Sequence, residues 1–187
     1  DAVTNTDGHR RVVWFSCGSA SARAAKEAVD TYGDDCVVVS CDTRSSEHPD
    51  NYRFSADVER WIGRPITYIK SDRYETVDDV IERRRYMAGV AGALCTVELK
   101  KMPREAWQRP DDVHIFGYTV EEARRAAIFE QRNPSLSVEW ILIDRGITKA
   151  ECHRSIADAG IAQPAMYALN YEHNNCPGCV KSQSPGY

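Results

Sequence analysis

The chain has 187 residues, 42% of them hydrophobic, which is enough for one domain with a substantial core. Its formal net charge of −4 gives no global basic field of the kind that attracts nucleic acids. No apolar stretch approaches the ~20 residues of a membrane span, and none resembles a signal peptide. Composition therefore excludes a membrane-spanning class and favours a globular domain without a membrane partner.

Seven cysteines are an odd number for a structural disulfide framework. Such a count favours reduced thiols, a metal or cluster site, or redox chemistry, and with it a cytoplasmic location. Three local basic clusters, at 83–85, 100–104 and 124–125, are compatible with a nucleic-acid or nucleotide substrate. The alternative is that these clusters are ordinary solvated helix faces.

Strand and helix patterns alternate along the chain. Strands are predicted at 12–15, 36–40, 65–69, 113–116 and 138–143, and helices at 20–32, 50–63, 76–85, 119–132 and 148–160. Residues 1–10 are expected to form a loose tail, and 11–187 a single domain. The alternation predicts an α/β fold, a doubly wound and mostly parallel five-stranded sheet with helices on both faces.

Several helix starts carry capping signals. Thr119 with Glu122, and Thr148 with Glu151, have the spacing of a capping box. Asp50 is the expected N-cap of the second helix. These signals set the helix boundaries given above.

The first strand runs into a loop of small, polar residues, and a helix follows directly. Ser16, Gly18, Ser19 and Ser21 can surround an anion there, because a helix N-terminus presents unpaired N–H groups and a positive dipole. An ordinary tight turn between a strand and a helix is the alternative. In a parallel sheet this loop should meet two other strand ends, 42–43 and 117–118, at one edge.

Five stretches, taken in order, resemble the phosphoadenosine phosphosulfate (PAPS) reductase-like family of the PP-loop, or N-type ATP pyrophosphatase, superfamily. They are Ser16-Cys17-Gly18-Ser19-Ala20-Ser21, Asp42-Thr43 with the segment 47–54, Cys95-Thr96 with Lys100 and Pro103, Gly117-Tyr118-Thr119 with Glu122 and Arg125, and Cys176-Pro177-Gly178-Cys179. Together they extend over nearly the whole chain, from about Arg11 to Lys181.

This resemblance implies a PP-loop protein that binds ATP or a related adenine nucleotide, with Mg²⁺ as a further candidate ligand. The implied nucleotide-binding residues are Ser16, Gly18, Ser19, Ser21, Asp42, Gly117 and Arg125, with Cys17 and Lys100 as catalytic candidates. The preferred chemistry is ATP-dependent adenylation of a substrate, followed by sulfur transfer. The alternatives are a sulfonucleotide reductase, in which a thiol attacks the sulfate sulfur, and a nucleotide-binding module without catalysis.

The sequence departs from the family pattern in two places. Ala20 stands where ATP-using members carry Asp, which puts the usual ATP–magnesium geometry in doubt. The 187 residues also contain no C-terminal Glu-Cys-Gly-type catalytic segment like that of sulfonucleotide reductases. A protein sulfur donor or reductant, and a homo-oligomer, are further partners compatible with this class.

Cys176 and Cys179 can hold one metal, because Gly178 permits the turn that lets both thiolates converge. Two ligands are half of a site, and the resemblance implies that Cys95 lies nearby as the third. Three cysteines predict a [4Fe–4S] cluster with one open iron. The alternatives are zinc, with His173 as fourth ligand, a redox dithiol, and thiols with only a structural role.

Three predicted roles have a competing explanation. Cys17, near a helix N-terminus, is either a stabilised thiolate or a residue that serves only through its backbone. Asp42 either binds ribose or magnesium or caps the following turn. Arg125 is either a phosphate ligand or a surface residue of its helix.

Overall fold

The computed structural model describes residues 8–89, 92–174 and 176–179. The strands are β1 Arg11–Trp14, β2 Cys36–Cys41, β3 Ile66–Ile69, β4 Ala88–Gly89, β5 Gly92–Ala93, β6 Val113–Phe116 and β7 Ser137–Glu139. The helices are α1 Ser19–Tyr32, α2 Asp50–Ile62, α3 Val77–Arg84, α4 Leu94–Thr96, α5 Met102–Trp107, α6 Ala123–Arg132, α7 Ile141–Asp144, α8 Lys149–Asp158 and α9 Ala165–Ala168. Short 3₁₀ turns span Gly33–Asp35, Arg44–Ser46 and Val120–Glu122, and a π-helical turn spans Val97–Lys101. In the described part of the chain, no helix is both long and apolar enough to cross a membrane.

Five strands form one sheet in the order β3-β2-β1-β6-β7, and every neighbouring pair is parallel. Val13 of β1 pairs with Val38 on one side and with Ile115 on the other. Parallel strands need crossover helices, and these cover both faces. The predicted doubly wound, five-stranded α/β fold is confirmed, and its central strand is β1.

The central strand β1 alternates between two cores. Val13 and the following Phe15 point to the face covered by α1, α2 and α8, where Phe54 and Ile156 are fully buried. Val12 and Trp14 point to the other face, which includes Trp107 of α5. The four-residue apolar run of β1 is therefore explained by burial on both faces.

Two predicted boundaries are wrong. The expected strand 138–143 ends at Glu139, and Ile141 to Asp144 form the short helix α7. Apolar runs this short do not distinguish strand from buried helix. The capping box at Thr119 is also absent: a 3₁₀ turn, Val120–Glu122, intervenes, and the Thr119 side chain makes no capping hydrogen bond.

Other helix ends are nearer the expectation. The capping box of Thr148 and Glu151 is present, with both of its hydrogen bonds. Pro49 is the N-cap of α2, so Asp50 is its first residue. Of the predicted tail, residues 1–7 lie outside the described residues, and 8–10 belong to no helix or strand.

The buried histidine of β6 lies on the second face of the sheet. His114 is 1% exposed, and its Nδ1 accepts a hydrogen bond of 3.0 Å from the Trp14 indole N–H. This bond requires an unprotonated Nδ1. Burial lowers the pKa of His114 below its usual value of 6.5, since the charged imidazolium is poorly solvated there.

We expect the free energy of unfolding to fall as the pH drops below about 6.5. Between pH 6.5 and the lower pKa of His114 in the folded protein, the imidazole is protonated in the unfolded chain but not in the folded one. The free energy of unfolding therefore falls by at most ~1.4 kcal/mol per pH unit in this range. Urea unfolding at pH 7.5 and 5.5 measures it, with His114→Gln as the control without this titration. An equal pH dependence in both proteins would contradict the assignment to His114.

Candidate functional site

The loop between β1 and α1 is organised by Ser21. Its Oγ accepts hydrogen bonds from the backbone N–H groups of Ser16 (3.1 Å) and Gly18 (3.3 Å), and donates to the Gly18 carbonyl (2.9 Å). The Ser19 side chain points elsewhere: its hydroxyl donates to Gln163 at 2.6 Å, and the residue is only 1% exposed. The side chain of Ser19 thus holds the loop to the C-terminal part of the chain.

Cys17 lies in the core side of this loop. Its backbone is left-handed, with φ of 57°, and its Sγ is 3.1 Å from the Ser55 hydroxyl. Burial raises the pKa of the Cys17 thiol to about 12. A thiolate is therefore disfavoured at neutral pH, and the geometry favours the backbone role over the reactive one.

The end of β6 packs directly against the start of α1. A Cβ added at Gly117 would lie 2.6 Å from both the Cα and the N of Ser21, which is closer than atoms can approach. Gly117 is thus needed for backbone packing, and any ligand contact it makes would be additional.

Buried polar side chains connect three separate segments at this edge. Glu47 accepts from the Thr43 hydroxyl (2.6 Å) and from the Asn51 amide (2.7 Å). The Asn174 amide donates to the Asn51 Oδ1 (2.8 Å) and to the Cys17 carbonyl (2.6 Å). The loop, α2 and the C-terminal segment are therefore held in one network.

Three cavities open at the carboxyl edge of the sheet. The aromatic cavity, about 530 Å³, is lined by residues that include Trp14, Cys41, Arg104, Phe116, Tyr118 and Phe129. The loop cavity, about 520 Å³, is lined by Ser16, Gly18, Ser21, Lys149, His173 and others. The thiol cavity, about 380 Å³, includes Cys95, Cys176 and Cys179 in its lining.

Lys100 and Arg125 each line all three cavities. The Lys100 ammonium is 3.7 Å from the Glu47 carboxylate, and the Arg125 guanidinium donates to Glu122 at 2.6 Å. About half of the Lys100 side chain and two thirds of the Arg125 side chain are exposed. Both cations are therefore available to a ligand that crosses the junction between the cavities.

The aromatic cavity also contains a cation. The Arg104 guanidinium lies 5.8 Å from the Phe116 ring centre and 5.9 Å from that of Phe129. Its Nε is buried without a hydrogen-bond partner in the described part of the chain. An aromatic wall beside a partly buried cation favours a flat, anionic ligand.

Comparisons with known proteins bear on the fold. Neither a protein-family model nor a curated protein sequence matches this chain. Among solved structures it is similar to a PAPS reductase from Candida auris, determined as a phosphate complex, with a TM-score of 0.65 and 11% sequence identity. The match covers 91% of this chain and 82% of that one. The chain has a PAPS reductase-like fold.

The three predicted strand ends of this PAPS reductase-like fold meet at one edge. Ser16 and Gly117 both line the aromatic cavity and the loop cavity. Thr43 lines the aromatic cavity and the thiol cavity. Ser16, Gly18 and Ser21 lie where a nucleotide phosphate could contact them, and their binding role stays a prediction.

The Asp42 carboxylate is paired with the neighbouring Arg44 guanidinium. Both of its carboxylate oxygens accept from Arg44, at 2.8 and 3.0 Å, and the Arg44 backbone N–H adds a third bond of 3.3 Å. These bonds lower the pKa of Asp42. Of the two explanations for Asp42, the geometry favours stabilisation of the next turn over a ribose or magnesium ligand.

The predicted metal ligands share the thiol cavity although about 80 positions separate Cys95 from the pair. Over residues 8–89, 92–174 and 176–179, however, no three or more His, Cys, Asp or Glu side chains are grouped so that they could hold a metal ion. His173 lines the same cavity and does not complete a zinc site. The residues as arranged fit neither the predicted [4Fe–4S] cluster nor zinc.

Several residues of this site were not singled out as site residues by the sequence analysis. Three of them, Asn51, Asn174 and Arg104, are polar or cationic residues of types that are common on protein surfaces. Here they contact residues that are distant in sequence. Tyr167 is another, since its hydroxyl lies beside the loop, 3.3 Å from the position that a Cβ on Gly18 would take. Two of them carried a signal: Asn51 lies in the segment 47–54, and Arg104 lies in the basic cluster 100–104.

We expect Gly117→Ala to destabilise the protein by ~1–3 kcal/mol, because the new Cβ forces apart β6 and α1. Gly18→Ala is the matched control, since its Cβ would meet only the Tyr167 hydroxyl at 3.3 Å and its φ is −105°. The control should lose ~1 kcal/mol at most, through a weaker N-cap. Urea unfolding of both variants measures this, and equal stabilities would contradict the packing role.

Proposed function

We propose that this protein binds an adenine sulfonucleotide, such as adenylyl sulfate, and that cavity thiols act on its sulfur. The observation that carries the proposal is the position of Lys100 and Arg125 at the junction of the three cavities. A single nucleotide bound at this junction can reach all three cavities. Its base would lie in the aromatic cavity, its phosphate in the loop cavity and its reacting group in the thiol cavity.

The aromatic cavity suits the adenine base. Tyr118 stacks on Trp140 with ring centres 5.1 Å apart, and Phe116 packs against Trp140 in a tilted arrangement with ring centres 6.0 Å apart. These contacts orient both rings. A purine is flat and largely apolar, and it gains from such ring contacts. The Arg125 guanidinium, 4.6 Å from the Tyr118 ring centre, connects this wall to the junction.

The junction suits the charged end of the nucleotide. Lys100 and Arg125 would neutralise the phosphate and stabilise the charge that develops on AMP as it leaves. Ser16 and the N-terminus of α1 lie on the adjoining side, where backbone N–H groups favour anions.

The thiol cavity supplies the nucleophile for a reductive step. A cysteine thiolate would form a bond to the sulfate sulfur, and the bond from that sulfur to the phosphate oxygen would break. AMP would leave with the electron pair, and the cysteine would carry the sulfonate. No metal or cluster takes part in this step.

ATP-dependent adenylation followed by sulfur transfer is less well supported, because ATP chemistry of this kind uses a magnesium ion. Ala20 replaces the acidic loop residue, and Asp42 is held by Arg44. Glu47 accepts from Thr43 and Asn51. A sulfonucleotide needs no such carboxylate ligand.

A nucleic-acid substrate also has little support. In the cluster 83–85, Arg83 pairs with Asp79 and Arg84 with Glu98. These pairs favour the explanation of a solvated helix face, which leaves a nucleotide as the proposed small-molecule partner. A protein reductant would restore the thiols after turnover.

We expect Lys100→Gln to weaken binding of adenylyl sulfate by about tenfold or more, because a charge-assisted contact is worth ~1.5–3 kcal/mol. Lys26→Gln is the control, since Lys26 pairs with Asp30 on the outer side of α1. Isothermal titration calorimetry measures both affinities, and circular dichroism checks folding. Wild-type affinity in a folded Lys100→Gln protein would refute the placement of the ligand.

The reaction itself separates the candidate functions. Sulfite release from adenylyl sulfate by the reduced protein is the expected result. Pyrophosphate release from ATP would instead identify the adenylating enzyme. Tight nucleotide binding with neither product would identify a binding module without catalysis.

A further inference from the structure

We infer that Cys176 and Cys179 form a reversible disulfide and act as a redox pair within the thiol cavity, in place of a metal site. The inference rests on the proposed function for its substrate, while the chemistry of the pair can be tested without that substrate.

The local backbone brings the two cysteines into disulfide range. The Cys179 N–H donates to the Cys176 carbonyl at 3.1 Å, and Gly178 between them has φ of +69°. Pro177 followed by a glycine of positive φ is typical of a type II turn, which closes its first and fourth Cα atoms to under about 7 Å. Disulfides join Cα atoms about 4.4–6.8 Å apart.

The side chains also share one cavity. Cys176 and Cys179 both line the thiol cavity, on the same side of the short turn that joins them. Each thiol is partly exposed, so oxidants and reductants can reach the pair. The remaining requirement for a metal, a third and fourth ligand, is not met within the part of the chain that the structure describes.

Two cations share the thiol cavity with the pair. Lys100 and Arg125 line this cavity and provide the positive environment that favours a thiolate there.

The pair completes the reaction proposed above. Once Cys179 carries the sulfonate, Cys176 attacks the Cys179 Sγ, the new S–S bond forms and sulfite leaves with the electron pair of the broken bond. The two thiol protons pass to solvent. Sulfur is reduced by two electrons from sulfate to sulfite, and the two cysteines are oxidised to one disulfide, so the oxidant is the nucleotide itself.

The first test uses glutathione alone. After equilibration of the full chain in mixtures of reduced and oxidised glutathione, tryptic peptide 155–181 should lose two hydrogens reversibly, and it contains only these two of the seven cysteines. Cys176→Ser and Cys179→Ser should each abolish the change, whereas Cys152→Ala, which removes a buried thiol of α8, should retain it. A folded protein whose peptide stays reduced throughout would overturn the inference.

Metal analysis of anaerobically purified protein gives an independent result. We expect iron, zinc and acid-labile sulfide well below one equivalent. Stoichiometric iron with sulfide, or stoichiometric zinc, lost in Cys179→Ser and retained in Cys152→Ala, would overturn the redox pair.

Single-turnover measurement separates this inference from the proposed function. Fully reduced protein, mixed with adenylyl sulfate without external thiol, should release one sulfite per chain as peptide 155–181 becomes oxidised. Sulfite release while that peptide stays reduced would overturn the inference and retain the proposed function. A disulfide formed in glutathione but no sulfite from adenylyl sulfate would support the pair and refute the proposed function.

Discussion

The hydrogen bonds of one buried side chain hold the candidate site together. Asn174 is 8% exposed and donates from its amide to the Cys17 carbonyl and to Asn51. These bonds join the C-terminal segment to the loop after β1 and to α2, elements more than 120 positions away in sequence. They fasten the chain just before Cys176 to the loop and to α2.

The loss of a hydrogen bond in this network is costly, because its polar groups are shielded from water. Asn51 is fully buried, and Glu47 reaches the solvent only slightly, so each lost partner leaves a desolvated polar group at a cost of ~1–3 kcal/mol. The Asn174 Oδ1 already lacks a partner within the described residues. Low local dielectric strengthens the satisfied bonds and penalises the missing ones. Any change that separates these groups at the loop is therefore costly.

Much of the fold could be predicted from the sequence, because the periodicity of hydrophobic residues and the apolar runs indicate directly which positions are buried. The run at β1 and the alternation of strands with helices were sufficient for the parallel sheet, and the strand-end loops were expected at one edge for the same reason. Side-chain partners were not predictable. Nothing local to Asp42 shows that Arg44 folds back onto both oxygens, and nothing local to Gly117 shows how closely α1 approaches. The cysteine spacing located a shared cavity but could not reveal whether the thiols were grouped to bind a metal.

The wide turn at Val97–Lys101 determines which side chains share a surface. In an α-helix, positions three or four apart lie on one face, whereas hydrogen bonding from i to i+5 makes residues five apart near neighbours. Cys95 precedes this turn by two residues and Lys100 lies within it, and both line the thiol cavity. Deletion of one residue from this turn would restore ordinary α-helical hydrogen bonding. The side chains after the deletion would then be rotated about the helix axis by about 100°. The length of this turn, as much as the identity of its residues, thus determines the direction of the lysine.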